Sequence, residues 1–270
     1  MVPQGSQRLV AVDVGNSRIK VGQFDGPLRQ PLPTPTAVLE MAADLWKPQS
    51  LGRWLADQGI GGGAGETPHW RVASVNRPAA DRLVAWLQRE QLARSLGELS
   101  WKSLPLAVDV PAPDEVGIDR LLAAVAVNRL RDPARPAIAI DLGTAITVDL
   151  ISAEGRFQGG AILPGVNLGA RALERYTDRL PLVCLDDLET PPSPCGTDTA
   201  GALRAGLYWG AVGGVRTLVA GLAADLPRPP ELFLTGHPLP QVLRQVDAMA
   251  RYVPHLVLGG IALSWADERR

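Results

Sequence analysis

The stretch LVAVDVGNSRIKVGQFDG, from Leu9 to Gly26, places one acidic residue between two apolar runs. The first run ends at Asp13, and an apolar pattern of period two resumes at Ile19 after a Gly-Asn-Ser interruption. This pattern predicts a β-hairpin with Asp13 at its mouth.

The interruption predicts a tight turn with the means to bind an anion. Gly15 and Asn16 both tolerate positive φ, which favours a tight turn whose backbone N–H groups face an anion. Ser17 adds a hydroxyl and Lys20 adds a cation. A phosphate beside a magnesium ion would suit this chemistry. The alternative for the stretch alone is an ordinary hairpin turn with a capping aspartate.

A second stretch, AIAIDLGTAITVDLISAEGRFQGGAILPG, repeats the first from residue 137 onward. An apolar run again ends in an acid, Asp141, which is followed by Gly143, Thr144 and Ala145 and by a second strand pattern. A repeat at this scale predicts two related lobes whose Asp-Gly loops face each other across a cleft and hold a nucleoside triphosphate. Taken alone, Asp141 is equally consistent with a turn at a strand end.

Length and composition exclude several classes of protein. A chain of 270 residues, 46% of them hydrophobic, is long enough for one large domain or two smaller ones. The net charge of −1 and the lack of a Lys/Arg run argue against nucleic-acid or anionic membrane partners. No apolar stretch suits a signal peptide or a membrane span, and Cys184 and Cys195 fit no metal-ligand spacing. We therefore expect a cytoplasmic protein with two free thiols.

Between the two repeats, the pattern predicts a Pro-rich connection over 27–36 and a helix from Val38 to Leu55 that is broken at Pro48. A Gly-rich surface loop over 59–68 follows. A short strand over 70–75 and a helix over 78–96 complete this region.

Seven motifs, taken together and in order, resemble type III pantothenate kinase, also described as the Bvg accessory factor family. They are DVGNSRIK, EVGIDRLLAAVA, DLGTAITVD, GGAILPG, TDRLP, GTDTAGALRAGLYWG and FLTGH. The family is part of the superfamily of acetate and sugar kinases, heat-shock chaperones and actin. The resemblance implies an α/β fold of two related actin-like (ribonuclease H-like) lobes, with mixed sheets flanked by helices and a cleft between the lobes. The expected lobes are 1–133, joined by a last helix at 258–270, and 134–257.

The same resemblance implies ATP-dependent phosphorylation of pantothenate to 4′-phosphopantothenate, the first step of coenzyme A biosynthesis. It also implies a homodimer with a shared active site, Mg²⁺, and K⁺ or NH₄⁺ as a monovalent cation. Asp13 would organise the magnesium, and Asp141 would lie near the monovalent cation. The ATP phosphates would lie among two loops. These are Gly15, Asn16, Ser17 and Lys20 in the first, where the family usually has Thr at position 17, and Gly143, Thr144 and Ala145 in the second.

The motif GIDR, made of Gly117, Ile118, Asp119 and Arg120, resembles the acceptor side of the family's site. Phosphoryl transfer to an alcohol needs a carboxylate that orients the hydroxyl and accepts its proton, and Asp119 is the candidate. Arg120 would bind the carboxylate of pantothenate. The alternative is that Asp119 caps a helix that begins at Arg120, which would then be solvated.

Further acceptor contacts follow from the resemblance alone. Gly165 would allow close backbone approach to the acceptor, Tyr176 would face the substrate, and Thr199 would contact pantothenate from the partner subunit. Val110 stands where relatives often have a tyrosine, and His237 stands where the adenosine-side motif normally has glycine. These two differences leave a kinase for another small hydroxy acid as an alternative. A nucleotide-binding regulator of transcription on the same scaffold is a second alternative.

Overall fold

The computed structural model describes residues 8–26, 28, 30–60, 67–185, 188, 190–236 and 249–269. Two compact units make up the chain. Unit 1 contains the described residues up to 107, together with 111–130 and 255–269, and unit 2 contains 108–110 and 131–254. Each unit carries one five-stranded mixed sheet with helices, so the expected α/β fold is confirmed.

The sheet of unit 1 has the strand order β3-β2-β1-β4-β5. Its strands are β1 (Leu9–Val14), β2 (Arg18–Phe24), β3 (Ala37–Ala42), β4 (His69–Ser74) and β5 (Ser95–Glu98). The hairpin β1/β2 and the pair β2/β3 are antiparallel, whereas β4 pairs in parallel with β1 and with β5. The hairpin predicted at the start of the chain is therefore confirmed.

Four helices pack on this sheet: α1 (Pro48–Asp57), α2 (Arg77–Arg89), α3 (Ile118–Leu130) and α6 (Leu256–Asp267). One apolar core joins α1 and α2 to alternate residues of β1, namely Val10, Val12 and Val14. The other face of β1 carries Leu9, Ala11 and Asp13, because side chains alternate along a strand. Helix α6 has ten buried residues and packs against β1 and α3. Two short 3₁₀ helices, Trp101–Ser103 and Pro113–Glu115, precede α3.

Two of the helices expected in unit 1 are shorter than predicted. Residues Ala37–Ala42 form the edge strand β3 rather than the start of a helix, because their backbone pairs with β2. Helix α1 begins at Pro48 and ends at Asp57, so only 48–55 of the expected 38–55 helix is helical. The helix expected over 78–96 is α2, which ends at Arg89. Gln91 adopts a left-handed φ of 52°, and the chain turns there and enters β5. Most of the expected surface loop at 59–68, residues 61–66, lies outside the described residues.

The sheet of unit 2 has the strand order β10-β9-β6-β7-β8. Its strands are β6 (Ala137–Leu142), β7 (Ala145–Ile151), β8 (Phe157–Pro164), β9 (Glu231–Gly236) and β10 (Arg251–Tyr252). Strand β6 pairs antiparallel with β7 and parallel with β9, as β1 does with β2 and β4. The predicted internal repeat is therefore present in both strand order and strand direction.

Helices α4 (Val166–Arg175) and α5 (Thr199–Ala223) pack on one face of this second sheet. The side chain of Asp198 caps α5 by accepting a hydrogen bond from the N–H of Gly201 (2.6 Å). The core beneath these helices contains Ile138, Ile140 and Val148. Asp141 and Asp149 lie on the opposite face by strand alternation.

Candidate active site

Asp13 is the fifth of the six residues of β1, just before the strand ends at Val14, and it is half-buried. Lys20 stands directly opposite Asp13 on β2, and Glu40 stands opposite Lys20 on β3. Directly opposed residues share one face of a sheet, so an acid, a base and an acid form a row across three strands. Burial, followed by the positive charge of Lys20, lowers the pKa of His255 at the start of α6, and the charge of Glu40 partly opposes this.

The turn between β1 and β2 is tight, but its glycine does not adopt positive φ as expected. Neither Gly15 nor Asn16 has a left-handed backbone. Instead, the N–H of Gly15 donates to the carbonyl of Arg18 (2.9 Å), and a Cβ at position 15 would lie 3.1 Å from that oxygen. Glycine fits here because two backbone segments approach closely. Asn16 and Ser17 are exposed at the tip of the turn.

A residue that the sequence analysis did not single out, Asn76, holds this turn from the side. Its Nδ2 group donates to the carbonyl oxygens of Gly15 (3.4 Å) and Asn16 (3.5 Å), and its Oδ1 accepts from the N–H of Ala79 at the start of α2 (3.3 Å). The preceding residue, Val75, donates its N–H to the carbonyl of Val14 (3.0 Å). The sequence signal was an Asn before Arg-Pro at a strand end, which is typical of a helix cap.

Asp119 lies in the first turn of α3 and is largely shielded from solvent. Its Oδ1 accepts a hydrogen bond from the N–H of Arg120 (2.9 Å). The helix begins at Ile118, one residue before Asp119, so the alternative that Asp119 caps a helix starting at Arg120 has the wrong register. The carboxylate shares the Arg120 N–H with the carbonyl of Gly117, to which that N–H also donates (3.1 Å).

Burial raises the pKa of the Asp119 carboxyl above its ordinary value. The hydrogen bond from Arg120 N–H and the charge of the Arg120 guanidinium partly oppose this rise. A desolvated carboxylate is a stronger base than a solvated one, as proton abstraction from an alcohol requires.

Gly117 allows the Asp119 carboxylate to adopt its position. A Cβ at residue 117 would lie 2.6 Å from Asp119 Oδ1 and 3.6 Å from a methyl carbon of Val75. Any side chain at this position would push the carboxylate away. Val75 and Asn76 therefore connect the start of α3 to the hairpin turn within unit 1.

Asp141 occupies the same position in β6 as Asp13 does in β1. Thr147 on β7 and Thr235 on β9 stand directly opposite it on either side. A Cβ at Gly236, whose φ is +97°, would lie 2.5 Å from both Asp141 Oδ1 and the carbonyl oxygen of Leu142. Carboxylate, hydroxyl and carbonyl oxygens thus lie around the ends of β6 and β9.

The second predicted phosphate loop contacts the start of α4. The N–H of Gly165 donates to the carbonyl of Thr144 (3.0 Å), and the N–H of Gly143 donates to the carbonyl of Ala145 (3.1 Å). A Cβ at Gly165 would overlap the carbonyl oxygens of both Gly143 and Thr144. The structure therefore brings Gly143, Thr144, Ala145 and Gly165 together.

Three other expected acceptor residues lie on separate elements of unit 2. Val110 lies beside Gly159 of β8, which has a φ of +90°. A Cβ at Gly159 would lie 3.6 Å from Val110 Cγ1. Tyr176 follows α4 and is 80% exposed, and Thr199 is the exposed first residue of α5. The expectation for His237 falls outside the described residues.

Asp149 is a second residue whose setting the sequence analysis missed. Asp149 is only 1% exposed. A Cβ at Gly160 on the neighbouring strand would lie 2.6 Å from Asp149 Oδ1. The register of β7 and β8 shifts just after this position. A charged residue in the middle of an apolar strand was the available signal.

In the part of the chain that the structure describes, no helix is long and apolar enough to cross a membrane. Within the same part of the chain, no group of three or more His, Cys, Asp or Glu side chains is arranged to hold a metal ion. Cys184 and Cys195 are exposed free thiols, as expected.

Solved structures with related folds cover almost the whole chain. A Baf family protein from Campylobacter jejuni matches with a TM-score of 0.60 and 16% identity over 96% of this chain and 98% of its own. The ethanolamine utilization protein EutJ from Carboxydothermus hydrogenoformans matches with a TM-score of 0.53 and 14% identity over 97% of this chain and 91% of its own. At this level of identity, the likeness establishes the fold.

Sequence relatives establish the family. A protein from Parafrankia sp. (strain EAN1pec), described as type III pantothenate kinase, is 31% identical over 268 residues, which cover 94% of this chain and 96% of its own. One of the same description from Anaeromyxobacter sp. (strain K) is 32% identical over 269 residues, or 94% of this chain and 97% of its own. The family model for type III pantothenate kinase matches residues 9–221. The chain therefore belongs to the type III pantothenate kinase family.

Proposed function

We propose that this protein transfers a phosphoryl group from ATP to the terminal hydroxyl of pantothenate and so makes 4′-phosphopantothenate, the first step of coenzyme A biosynthesis. The observation that carries the proposal is family membership across residues 9–221. Because ATP is made and used in the cytoplasm, the proposal includes a cytoplasmic location.

Asp119 is the proposed catalytic residue. It accepts a proton from the pantothenate hydroxyl as that oxygen bonds to the γ-phosphorus and the bond to the β-phosphate oxygen breaks. Two features support this role: burial raises the pKa of the carboxyl, and Gly117 keeps space beside it. Arg120, the next residue, pairs its planar guanidinium with the carboxylate of pantothenate. Ile118 completes the motif and is buried, which anchors the start of α3.

Asp13 is the proposed magnesium residue, and the donor set fits this ion. Mg²⁺ is commonly held by one or two carboxylates together with substrate phosphates and waters. One half-buried carboxylate beside a turn that carries Asn16 and Ser17, with Lys20 opposite it on β2, matches that pattern. Mg²⁺ held by Asp13 together with ATP would supply positive charge against the phosphate oxygens. The side chains of the turn orient the phosphates.

Asp141 is the proposed residue for K⁺ or NH₄⁺. Large monovalent cations are weakly charged, and they suit a set of carboxylate, carbonyl and hydroxyl oxygens. Asp141 Oδ1 and the carbonyl oxygen of Leu142 approach the same point beside Gly236, and threonines flank Asp141 on both neighbouring strands. The loop of Gly143, Thr144 and Ala145 is the proposed second contact with the phosphates.

The acceptor is proposed to contact Val110, Gly165 and Tyr176, with Thr199 supplied by the partner subunit of a homodimer. Helix α5, which begins with Thr199, supports self-association. Four glycines in it would meet nothing within 4 Å if they carried a Cβ, namely Gly206, Gly210, Gly213 and Gly221. Glycine is costly inside a solvent-facing helix, by about 1 kcal/mol relative to alanine. Close approach of a second helix would account for these glycines.

Light scattering tests the homodimer. The Gly210→Arg variant is expected to give monomers whose activity is much lower than that of the wild type, because each site would lose Thr199 of the partner. The Gln88→Arg variant, which adds the same charge to an exposed position of α2, is the matched control and should stay dimeric and active. A wild-type protein that is monomeric and fully active would contradict the shared site.

The activity is tested with purified protein, Mg²⁺, ATP and K⁺, with formation of ADP measured against pantothenate and a panel of hydroxylated acids. We expect the 4′-phosphate of pantothenate as the product, identified by mass spectrometry. Val110 stands where the family resemblance implies a tyrosine, so one hydrogen bond to the acceptor would be absent. Another hydroxy acid is therefore a second candidate substrate. If another acid is phosphorylated and pantothenate is not, the substrate assignment is wrong. A nucleotide-binding regulator of transcription without catalytic activity is not favoured. A folded dimer that phosphorylates no acid in the panel would support that alternative.

A further inference from the structure

Asn76 lies where β4 passes into α2, and its carboxamide makes contacts on two sides. On one side, Oδ1 accepts from the N–H of Ala79 and so caps α2. On the other side, Nδ2 lies 3.4 Å from the carbonyl oxygen of Gly15 and 3.5 Å from that of Asn16. The amide orientation follows from these partners, because only the oxygen can accept from the Ala79 N–H.

These contacts fix which way the hairpin turn presents its N–H groups. In a planar trans peptide, the carbonyl of one residue points opposite to the N–H of the next. Because the carbonyls of Gly15 and Asn16 point towards Asn76, the N–H groups of Asn16 and Ser17 point away from it. Two neighbouring N–H groups that share one direction form a favourable environment for an anion.

The neighbouring residue links the same segment to Asp119. Val75 is anchored to the end of β1 by its hydrogen bond to the Val14 carbonyl (3.0 Å), and its methyl group lies beside Gly117. The same position at Gly117 lies against the Asp119 carboxylate. One two-residue segment therefore contacts both the turn and the start of α3.

We propose that Asn76 is a positioning residue for ATP, which holds the carbonyls of Gly15 and Asn16 so that the N–H groups of Asn16 and Ser17 face the phosphates. The inference rests on the proposed function, because it takes this turn as the ATP-phosphate loop. The bonds to the turn are long, so each contributes modestly, and together they set an orientation rather than a large affinity.

The decisive variant is Asn76→Ser, which keeps a good helix cap and removes the amide donor. We expect the KM for ATP and the dissociation constant for ATP, measured by calorimetry, to rise about fivefold to tenfold. The KM for pantothenate and the melting temperature without ligand should stay at wild-type values. The Asn76→Ala variant should show the same loss of ATP affinity together with a melting temperature lower by about 2–4 °C, because it also loses the cap.

The outcomes separate the inference from the proposed function. An Asn76→Ser variant with wild-type ATP affinity would overturn the inference and leave Asn76 with capping alone. An equal rise in the KM values for ATP and for pantothenate, together with a lower melting temperature, would also overturn the inference, because general destabilisation of the protein produces this result. If the wild type binds ATP and does not phosphorylate pantothenate, the proposed function fails while the calorimetry still tests Asn76. A wild type that binds no ATP would overturn both.

Discussion

The contact between α6 and α3 gives the sharpest prediction about how the fold controls activity. In unit 1, a Cβ at Gly260 would overlap the carbonyl oxygen of Leu122 and would lie 2.8 Å from the Leu122 carbonyl carbon. Carbon atoms in van der Waals contact are separated by about 3.5–4.0 Å. In the Gly260→Ala variant, α3 and α6 must therefore separate by about 1 Å, and we expect α3 to retreat near its first turn.

The expected cost has two parts. Forcing extra volume into a packed core costs about 1–3 kcal/mol, which at this chain length lowers the melting temperature by about 3–10 °C. Leu122 lies one helical turn after Asp119, so the same retreat also moves the carboxylate. Displacement of a reacting group by about 1 Å lowers the rate about 100-fold. The affinity for ATP should change little.

Gly259→Ala is the matched control, because its Cβ would meet chiefly the Leu32 side chain (2.6 Å), which can move, and would lie 3.3 Å from the carbonyl oxygen of Pro33 rather than overlapping backbone. We expect nearly normal activity and a small change in melting temperature for this variant. Thermal melting followed by circular dichroism and a coupled assay for ADP release measure both quantities. A folded Gly260→Ala protein with the turnover of the wild type would refute the idea that α6 sets the position of Asp119.

Three further predictions concern single groups of the site. The Asp119→Asn variant should lose activity about 10²–10⁴-fold, as loss of a general base does, and should melt at a higher temperature near neutral pH. The higher temperature follows because the raised pKa of Asp119 means that its ionised form destabilises the folded state above that pKa; a lower melting temperature would contradict the burial argument. In a pH profile of kcat/KM, the apparent pKa of the acid limb should lie above the ordinary pKa of an aspartate. This limb should disappear in the Asp119→Asn variant. Gly165→Ala should raise the KM for ATP more than tenfold, because a Cβ there overlaps the carbonyls of Gly143 and Thr144, and unchanged kinetics would show that the loop adjusts freely.

The two hairpins and their aspartates could be predicted from the sequence, because period-two apolar patterns are local. Asp13 and Asp141 each interrupt such a pattern at the same place, and the structure has both at the fifth position of their strands. Asp119 needed the family motif, since a single acid at a helix start is common. Its raised pKa depends on burial that no local pattern reveals.

The remaining features depend on contacts between distant parts of the chain. The apolar residues of β3 suit a helix or a strand, and pairing with β2 decides between them. The contact of Asn76 with Gly15 and the contact of Gly260 with Leu122 join segments that are far apart in sequence. The sequence predicts positive φ at Gly15, whereas the structure shows that glycine fits there because two backbone segments approach closely. Such an approach is visible only in three dimensions.

The composition of unit 1 has a consequence for how the protein is made. Its core needs helix α6, whose ten buried residues pack against β1 and α3, and α6 is translated after all of unit 2. On the ribosome, the face of β1 that α6 covers therefore stays exposed while unit 2 is synthesised and folds. The nascent chain should be a client of chaperones until residues 255–269 emerge, and unit 1 should complete its fold only after unit 2 has been synthesised.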